Sequence, residues 1–337
     1  MGADGSKEKY DEPVCDELLE ATDAASVGYV MTSVRGIPQN PLFNVEMFES
    51  MIDTFETRDK DVFVCTYVKA GTTWAQQIVT LLCNGGEQGD KSYGEQVPWL
   101  EALAAPETLA EREAPGYTLE KINAMADPRF FKSHATVSDL PRGKAPGVKV
   151  IAIARNPKDT VVSLFHHASS KPERAAGVPC FFFLMRVLFT RGLRRFGYKG
   201  DFTTFLKVFL SGNAENGSWF KHVVEWHAAS VQDPDHVLWL TYEQMIEDHA
   251  GSVAKIAKFL GLPDSGDVVA KTVENSTMKS MQSNKKANIG MNHLRKGGVG
   301  GWRDYFTVTQ SNLFDAVYKK KMAGTGLAFN FGEGLTM

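Results

Sequence analysis

A chain of 337 residues with 43% hydrophobic and 11% aromatic side chains can build a large core, which excludes a disordered or fibrous protein. Lys and Arg number 37 against 40 Asp and Glu, a net charge of −3. That balance argues against a general nucleic-acid binder but leaves room for a local anion site. The four cysteines, Cys15, Cys65, Cys83 and Cys180, form no C-x-x-C pair and no zinc-spaced cluster with histidine. The expectation is a reducing, cytoplasmic setting and no metal.

Residues 1–34 read as a polar N-terminal arm and 35–337 as one domain. The start is neither a signal nor a transit peptide. Its first six residues, M-G-A-D-G-S, fit the short N-myristoylation pattern. Pro38 and Pro41 mark a turn, and a helix follows near Val45–Thr57. DVFVCT (61–66) reads as a buried strand, with a helix from about Thr72 to Leu82. The Gly-rich stretch 84–97 reads as a loop. RFFKSH (129–134) and VKVIAIA (148–154) are strand candidates, the second apolar enough for a central parallel strand. DTVVSLFHHA (159–168) reads as helix, VLWLTY (237–242) as strand, and SVAKIAKFLGL (252–262) as a helix stopped by Gly261 and Pro263. Strands alternating with helices imply an α/β fold: one domain with a central parallel sheet flanked by helices.

Three segments carry anion chemistry. TYVKAGTTW (66–74) joins a strand to a helix, so unpaired first-turn N–H groups face outward beside Lys69. Gly71 permits close backbone approach, and Thr72 and Thr73 offer caps and hydroxyls. The same pattern also describes an ordinary βα turn. It is not a Walker A loop, because Lys69 precedes the only glycine. Arg155 stands just past the end of the strand 148–154, where open α/β sheets bind ligands. It is either a phosphate fork or the ion-pair partner of Asp159. HLRKGGVGGWRDYFT (293–307) reads as a phosphate clamp built on Arg295 and Lys296, or as a solvated surface loop.

Together these segments resemble the cytosolic sulfotransferase family. That family's first loop reads Y-P-K-S-G-T-T-W, its second block A-R-N-x-K-D-x-x-x-S, and its third R-K-G-x-x-G-D-W-K. The present chain has TYVKAGTTW, then Ala154–Ser163, then RKGGVGGWR, in the same order, and the resemblance covers roughly residues 35–330. It implies an α/β domain with a P-loop-like phosphosulfate loop. The implied activity is transfer of the sulfonate of 3′-phosphoadenosine-5′-phosphosulfate (PAPS) to a hydroxyl or amine of a small-molecule acceptor, without metal.

Carried over residue by residue, the resemblance places Lys69, Ala70, Gly71, Thr72, Thr73 and Trp74 in the donor loop, with Trp74 against the adenine. Arg155, Ser163, Arg295, Lys296 and Gly297 fall on the 3′-phosphate positions. Tyr242, Ser276 and Met278 fall on further nucleotide contacts. FFKSHATVSDLP matches the family's K-T-H-L-P block, so Lys132 and His134 would be catalytic with Lys69. Two residues apart on a strand, Lys132 and His134 share a face, and a neutral imidazole can take the acceptor's proton. Trp99, in VPWLEAL, and His167 fall on acceptor-wall positions.

The chain departs from the family pattern at Val68, Ala70, Ala135–Thr136, Met278 and Gly301. The homodimer motif keeps two of its four positions among Arg303, Thr307, Val308 and Asn312, so a homodimer is left open. Residues 171–199 are an apparent insertion with seven Lys or Arg against one Glu around the apolar run Cys180–Met185, too short to span a bilayer. It suits a buried elaboration, an acceptor lid or a membrane-interface segment, and the lid would favour a long or amphiphilic acceptor. Two other functions are weighed: a membrane-associated nucleotide binder without turnover, and an ATP-dependent small-molecule kinase.

Overall fold

The computed structural model describes residues 29, 31–104, 118–141, 145–169, 198–263, 265–287, 297–332 and 334. The N-terminal myristoylation pattern, Cys15, residues 171–197 with Cys180, and Arg295 and Lys296 lie outside the described residues.

A hairpin of β1 (Thr32–Val34) and β2 (Ile37–Gln39) opens the described chain, turning at Arg35 and Gly36, both with positive φ. Pro38 therefore lies within a strand rather than at the turn. Val34 is buried and Tyr29 is 1% exposed, with its ring against Tyr198 and Phe205. These residues belong to the folded body.

Helix α1 (Val45–Thr54) starts where the Asn44 side chain accepts from the Met47 N–H, so it has a side-chain cap. Then come β3 (Val62–Thr66), α2 (Thr72–Cys83), β4 (Phe130–Ser133), β5 (Lys149–Ala154), α3 (Pro157–Ser169), α4 (Phe202–Ser211), α5 (Trp219–Gln232), β6 (Val237–Thr241), α6 (His249–Leu260), α7 (Gly266–Asn275) and α8 (Val308–Met322). The stretch 84–97, expected to be a loop throughout, contains a short helix, Tyr93–Gln96, closed by a Ser92–Glu95 capping box.

The main sheet is parallel, in the order β4-β3-β5-β6. Every residue of β3 is buried, and its side chains alternate between two helical layers. Phe63 and Cys65, with Phe131, Val150 and Ala152, face α1 and Trp226 of α5. Val62 and Val64, with Ile151 and Ile153, face Ile78 and Val79 of α2 and Val253 and Ile256 of α6. At the N-terminal edge, Arg129 and Asp61 form a bidentate pair with both side chains fully buried. A third cluster gathers Tyr67, Ala154, Phe205, Trp302 and Phe314 beyond the C-terminal ends of the strands. It supports the loops that follow β3 and β5. The expected strands thus appear within a residue or two of their boundaries, and the α/β expectation holds.

Candidate active site

The turn from β3 to α2 is tightly wound. Lys69 adopts φ 70° and Gly71 φ 104°, and a Cβ on Gly71 would meet the Tyr242 ring at 2.8 Å. A side chain at 71 is therefore excluded by both backbone and space. The N-cap of α2 is Gly71 and no side chain caps the helix. This corrects the capping role expected of Thr72. The Thr72 hydroxyl instead meets the Thr66 hydroxyl at 2.6 Å, pinning the two ends of the loop together. The first-turn N–H groups are left for a ligand. Ala70 is buried at the base of the loop, and Thr73 and Trp74 are partly exposed.

Trp74 Nε1 donates to the Ser276 carbonyl at 2.9 Å, and its ring lies edge-on to Tyr242. A Cβ on Gly297 would meet Met278 Cε at 2.8 Å, with the Tyr242 hydroxyl 3.9 Å away. One wall thus collects Trp74, Tyr242, Ser276, Met278 and Gly297 from four separate stretches of chain.

Arg155 does not pair with Asp159. Its guanidinium lies 4.4 Å over the Tyr242 ring, and Nη2 donates to the Gly298 carbonyl at 3.1 Å. Its Nε is buried without a hydrogen-bond partner among the described residues. Asp159 has a different task. Its carboxylate accepts the Gly300 N–H at 2.8 Å, the Trp302 N–H at 2.9 Å and Asn156 Nδ2 at 2.9 Å. The second anion segment thereby holds the third in place. Ser163 lies on α3, partly exposed. Glu243, next to Tyr242, accepts from both the N–H and Nδ2 of Asn156 through Oε1, while Oε2 is buried without a partner among the described residues. Burial pushes its carboxyl up to about 7, against the pull of those donors and of Arg155.

His134 lies just past β4 and is 6% exposed. Its Nδ1 is 2.9 Å from the Thr66 carbonyl oxygen, which can only accept, so Nδ1 carries a proton, and in the neutral imidazole the lone pair falls on Nε2. The His134 main-chain N–H donates to Glu101 Oε1 at 2.8 Å, and the Ser133 hydroxyl donates to the same oxygen at 2.6 Å. Glu101 Oε2 is buried without a hydrogen-bond partner among the described residues, and burial raises the carboxyl's pKa. Lys132 Nζ sits 4.2 Å over the Trp99 ring, whose centroid is 5.5 Å from the His134 ring. The Ala135 carbonyl accepts from Trp226 Nε1, and the Thr136 hydroxyl bonds Asp139, so the turn after β4 is closed.

A cavity borders His134 and Glu101, with Val34, Ile37, Phe48 and Met51 as its apolar wall and Gln39 and Asn216 as polar lining. His167, at the last turn of α3, has Nε2 4.0 Å from the buried Glu215 carboxylate. His166 packs on Tyr305, 5.0 Å between rings.

The structure thus brings Lys69–Trp74, Arg155, Tyr242, Ser276, Met278 and Gly297 to one place, and joins it to His134, Lys132 and Trp99 through Thr66. Sequence reasoning assigned no role to Glu101, Thr66, Glu243 or His249. An acid inside the apolar block VPWLEAL was the available signal for Glu101. No short pattern marks the others.

A sulfotransferase-domain family model matches residues 59–326. The chain belongs to the sulfotransferase family. Sulfotransferase 1A1 of Canis lupus familiaris is 33% identical over 310 residues, covering 88% of this chain and 94% of that protein. Sulfotransferase 2B1 of Homo sapiens is 30% identical over 310 residues, covering 86% and 74%. A mouse sulfotransferase crystallised with PAP (3′-phosphoadenosine-5′-phosphate) superposes with TM-score 0.66 at 25% identity, over 87% of this chain and 94% of that one. A retinol dehydratase in complex with retinol and PAP shares the fold, with TM-score 0.70 at 22% identity over 96% and 98% of the chains.

This sulfotransferase transfers a sulfonate group from PAPS to a small-molecule acceptor. Neither the inert nucleotide binder nor the kinase is favoured. Among the described residues no group of His, Cys, Asp or Glu could hold a metal ion, and no helix is long and apolar enough to cross a membrane.

Proposed function

We propose that this sulfotransferase sulfonates the hydroxyl of a small amphiphilic acceptor, with His134 as general base. The observation that carries this reading is the Thr66–His134 contact, because it sets the imidazole tautomer and ties the base to the donor loop. The nucleotide fits the residues present. Among the described residues no side chain caps the α2 N-terminus and Arg155 Nε has no hydrogen-bond partner, and glycines 71 and 297 clear space against Tyr242 and Met278. The first-turn N–H groups and Lys69 would hold the 5′-phosphosulfate, with Arg155 and Ser163 on the 3′-phosphate. Arg295 and Lys296 are assigned to the same phosphate on their sequence positions.

When bound, PAPS supplies the sulfonate and a phosphate leaving group. His134 Nε2 takes the proton from the acceptor hydroxyl as the new oxygen–sulfur bond forms. Lys69 and Lys132 offset the negative charge that builds as the old sulfur–oxygen bond breaks and its electron pair passes to the 5′-phosphate. Trp99 holds Lys132 by a cation–π contact on the side of His134. Glu101 fixes the backbone at His134.

The acceptor reading rests on the cavity beside His134, which has an apolar face from β1, β2 and α1 and a polar face with Gln39 and Asn216. The His167–Glu215 pair adds polar character, and the basic, apolar composition of 171–199 points the same way. A cytoplasmic setting belongs to the same reading, supported by four scattered cysteines with no C-x-x-C pair in the sequence. The test is turnover of labelled donor against phenols, sterols, fatty alcohols and polar alcohols. Amphiphilic alcohols should give the highest kcat/KM, and turnover confined to small polar alcohols would overturn the acceptor assignment.

A further inference from the structure

We propose that His249 is a positioning residue of the nucleotide site, holding the adenine-side wall closed through Trp74 and Ser276. The inference rests on the donor-site reading above. His249 is the first residue of α6, after the N-cap Asp248, whose side chain accepts the Gly251 N–H. Its ring lies 5.0 Å from the Trp74 ring, tilted by 56°. Its Nε2 lies 3.0 Å from the Ser276 hydroxyl oxygen. That hydroxyl also lies 2.6 Å from the Thr272 carbonyl oxygen, an acceptor that takes its only hydrogen. His249 must therefore donate from Nε2.

The circuit then closes on itself. Trp74 Nε1 donates to the Ser276 carbonyl, His249 donates to the Ser276 hydroxyl, and the His249 ring packs against Trp74. Three residues from three elements each fix the other two. Burial lowers the His249 pKa and so favours the neutral imidazole, whose proton this hydrogen bond places on Nε2. Without His249, Trp74 keeps its hydrogen bond but loses the packing that sets its tilt, and the Ser276 hydroxyl loses the donor that His249 supplies.

The test measures PAP binding by titration calorimetry to full-length wild type, His249→Ala, His249→Gln, His249→Phe and Trp74→Ala, with melting temperatures in parallel. One hydrogen bond and one aromatic contact together make a loss of roughly tenfold in Kd the expectation for His249→Ala, or about 1.4 kcal/mol. His249→Gln restores a donor and His249→Phe restores a ring, so each should recover part of the affinity. In turnover, the His249→Ala loss should fall in KM for the donor, not in KM for the acceptor. If Trp74→Ala weakens PAP while His249→Ala binds it as wild type does, the inference is overturned and the site reading stands. A lowered melting temperature with unchanged PAP affinity would make His249 merely structural and also overturn it. If Trp74→Ala also leaves PAP affinity unchanged, the site reading itself fails and the inference with it.

Discussion

The Thr66 carbonyl oxygen and His134 Nδ1 are 2.9 Å apart, and the Thr66 hydroxyl meets that of Thr72 at 2.6 Å. The last residue of β3 therefore contacts both the histidine after β4 and the first residue of the donor-loop helix. Parallel pairing of β3 with β4 sets this up, because Cys65 and Ser133 are register partners at the ends of the two strands. Thr66 therefore ties the imidazole to the strand end from which the donor loop departs.

Glu101 should matter to activity through His134. Glu101→Ala leaves the His134 N–H and the Ser133 hydroxyl without their shared acceptor, a loss of about 1–3 kcal/mol in stability with a fall in kcat. Glu101→Gln keeps an amide oxygen for both donors and should stay closer to wild type. Chemical denaturation and turnover of the two variants check this, and equal behaviour of Ala and Gln would remove the role.

Asp159 holds the glycine segment against the Arg155 turn through the Gly300 and Trp302 N–H groups. Hydrogen bonds to a charged acceptor contribute about 1.5–3 kcal/mol each, so Asp159→Ala should weaken PAP binding by tenfold or more. Calorimetry on the folded variant measures this directly. Unchanged affinity would mean that the segment's position is immaterial to the nucleotide.

Glu243 gives stability a pH dependence with a definite sign. Its folded pKa, about 7, lies above the ordinary 4.5. The folded state therefore binds this proton more tightly than the unfolded chain. The stabilisation is fully present below pH 4.5 and is lost as pH rises through about 7. Glu243→Gln should remove that loss, so its melting temperature should gain on wild type across this window. Parallel melting curves would contradict the assignment.

The donor site should separate nucleotides by their 3′-phosphate. PAP at 100-fold excess over its Kd should stabilise the fold by about 2.7 kcal/mol, and AMP at the same concentration by much less. Thermal shifts with both nucleotides measure the difference. Equal shifts would contradict the placement of Arg155.

The strands were legible because VFVCT and KVIAIA are continuous apolar runs, a pattern that a covered parallel sheet imposes. The donor loop was legible because one stretch of chain carries Lys69, Gly71 and Trp74 together. The packing of Tyr29 is not legible locally, because its ring partners, Tyr198 and Phe205, lie far away in sequence. Proximity in sequence offers Asp159 to Arg155, whereas its carboxylate accepts from Asn156 Nδ2 and from the distant N–H groups of residues 300 and 302. The His249 ring and the Glu101 carboxylate act across the fold on residues 74, 276 and 134. No local pattern encodes contacts at that separation.

The central claim is that His134, and not His166 or His167, takes the acceptor's proton. The direct measurement is kcat for the three single alanine variants, with PAP affinity recorded for each. His134→Ala should lower kcat by about 10²- to 10⁴-fold while PAP affinity stays near wild type, and His166→Ala and His167→Ala should keep turnover within an order of magnitude. Near-normal turnover in His134→Ala, or its abolition in His166→Ala or His167→Ala with nucleotide affinity intact, would contradict the claim.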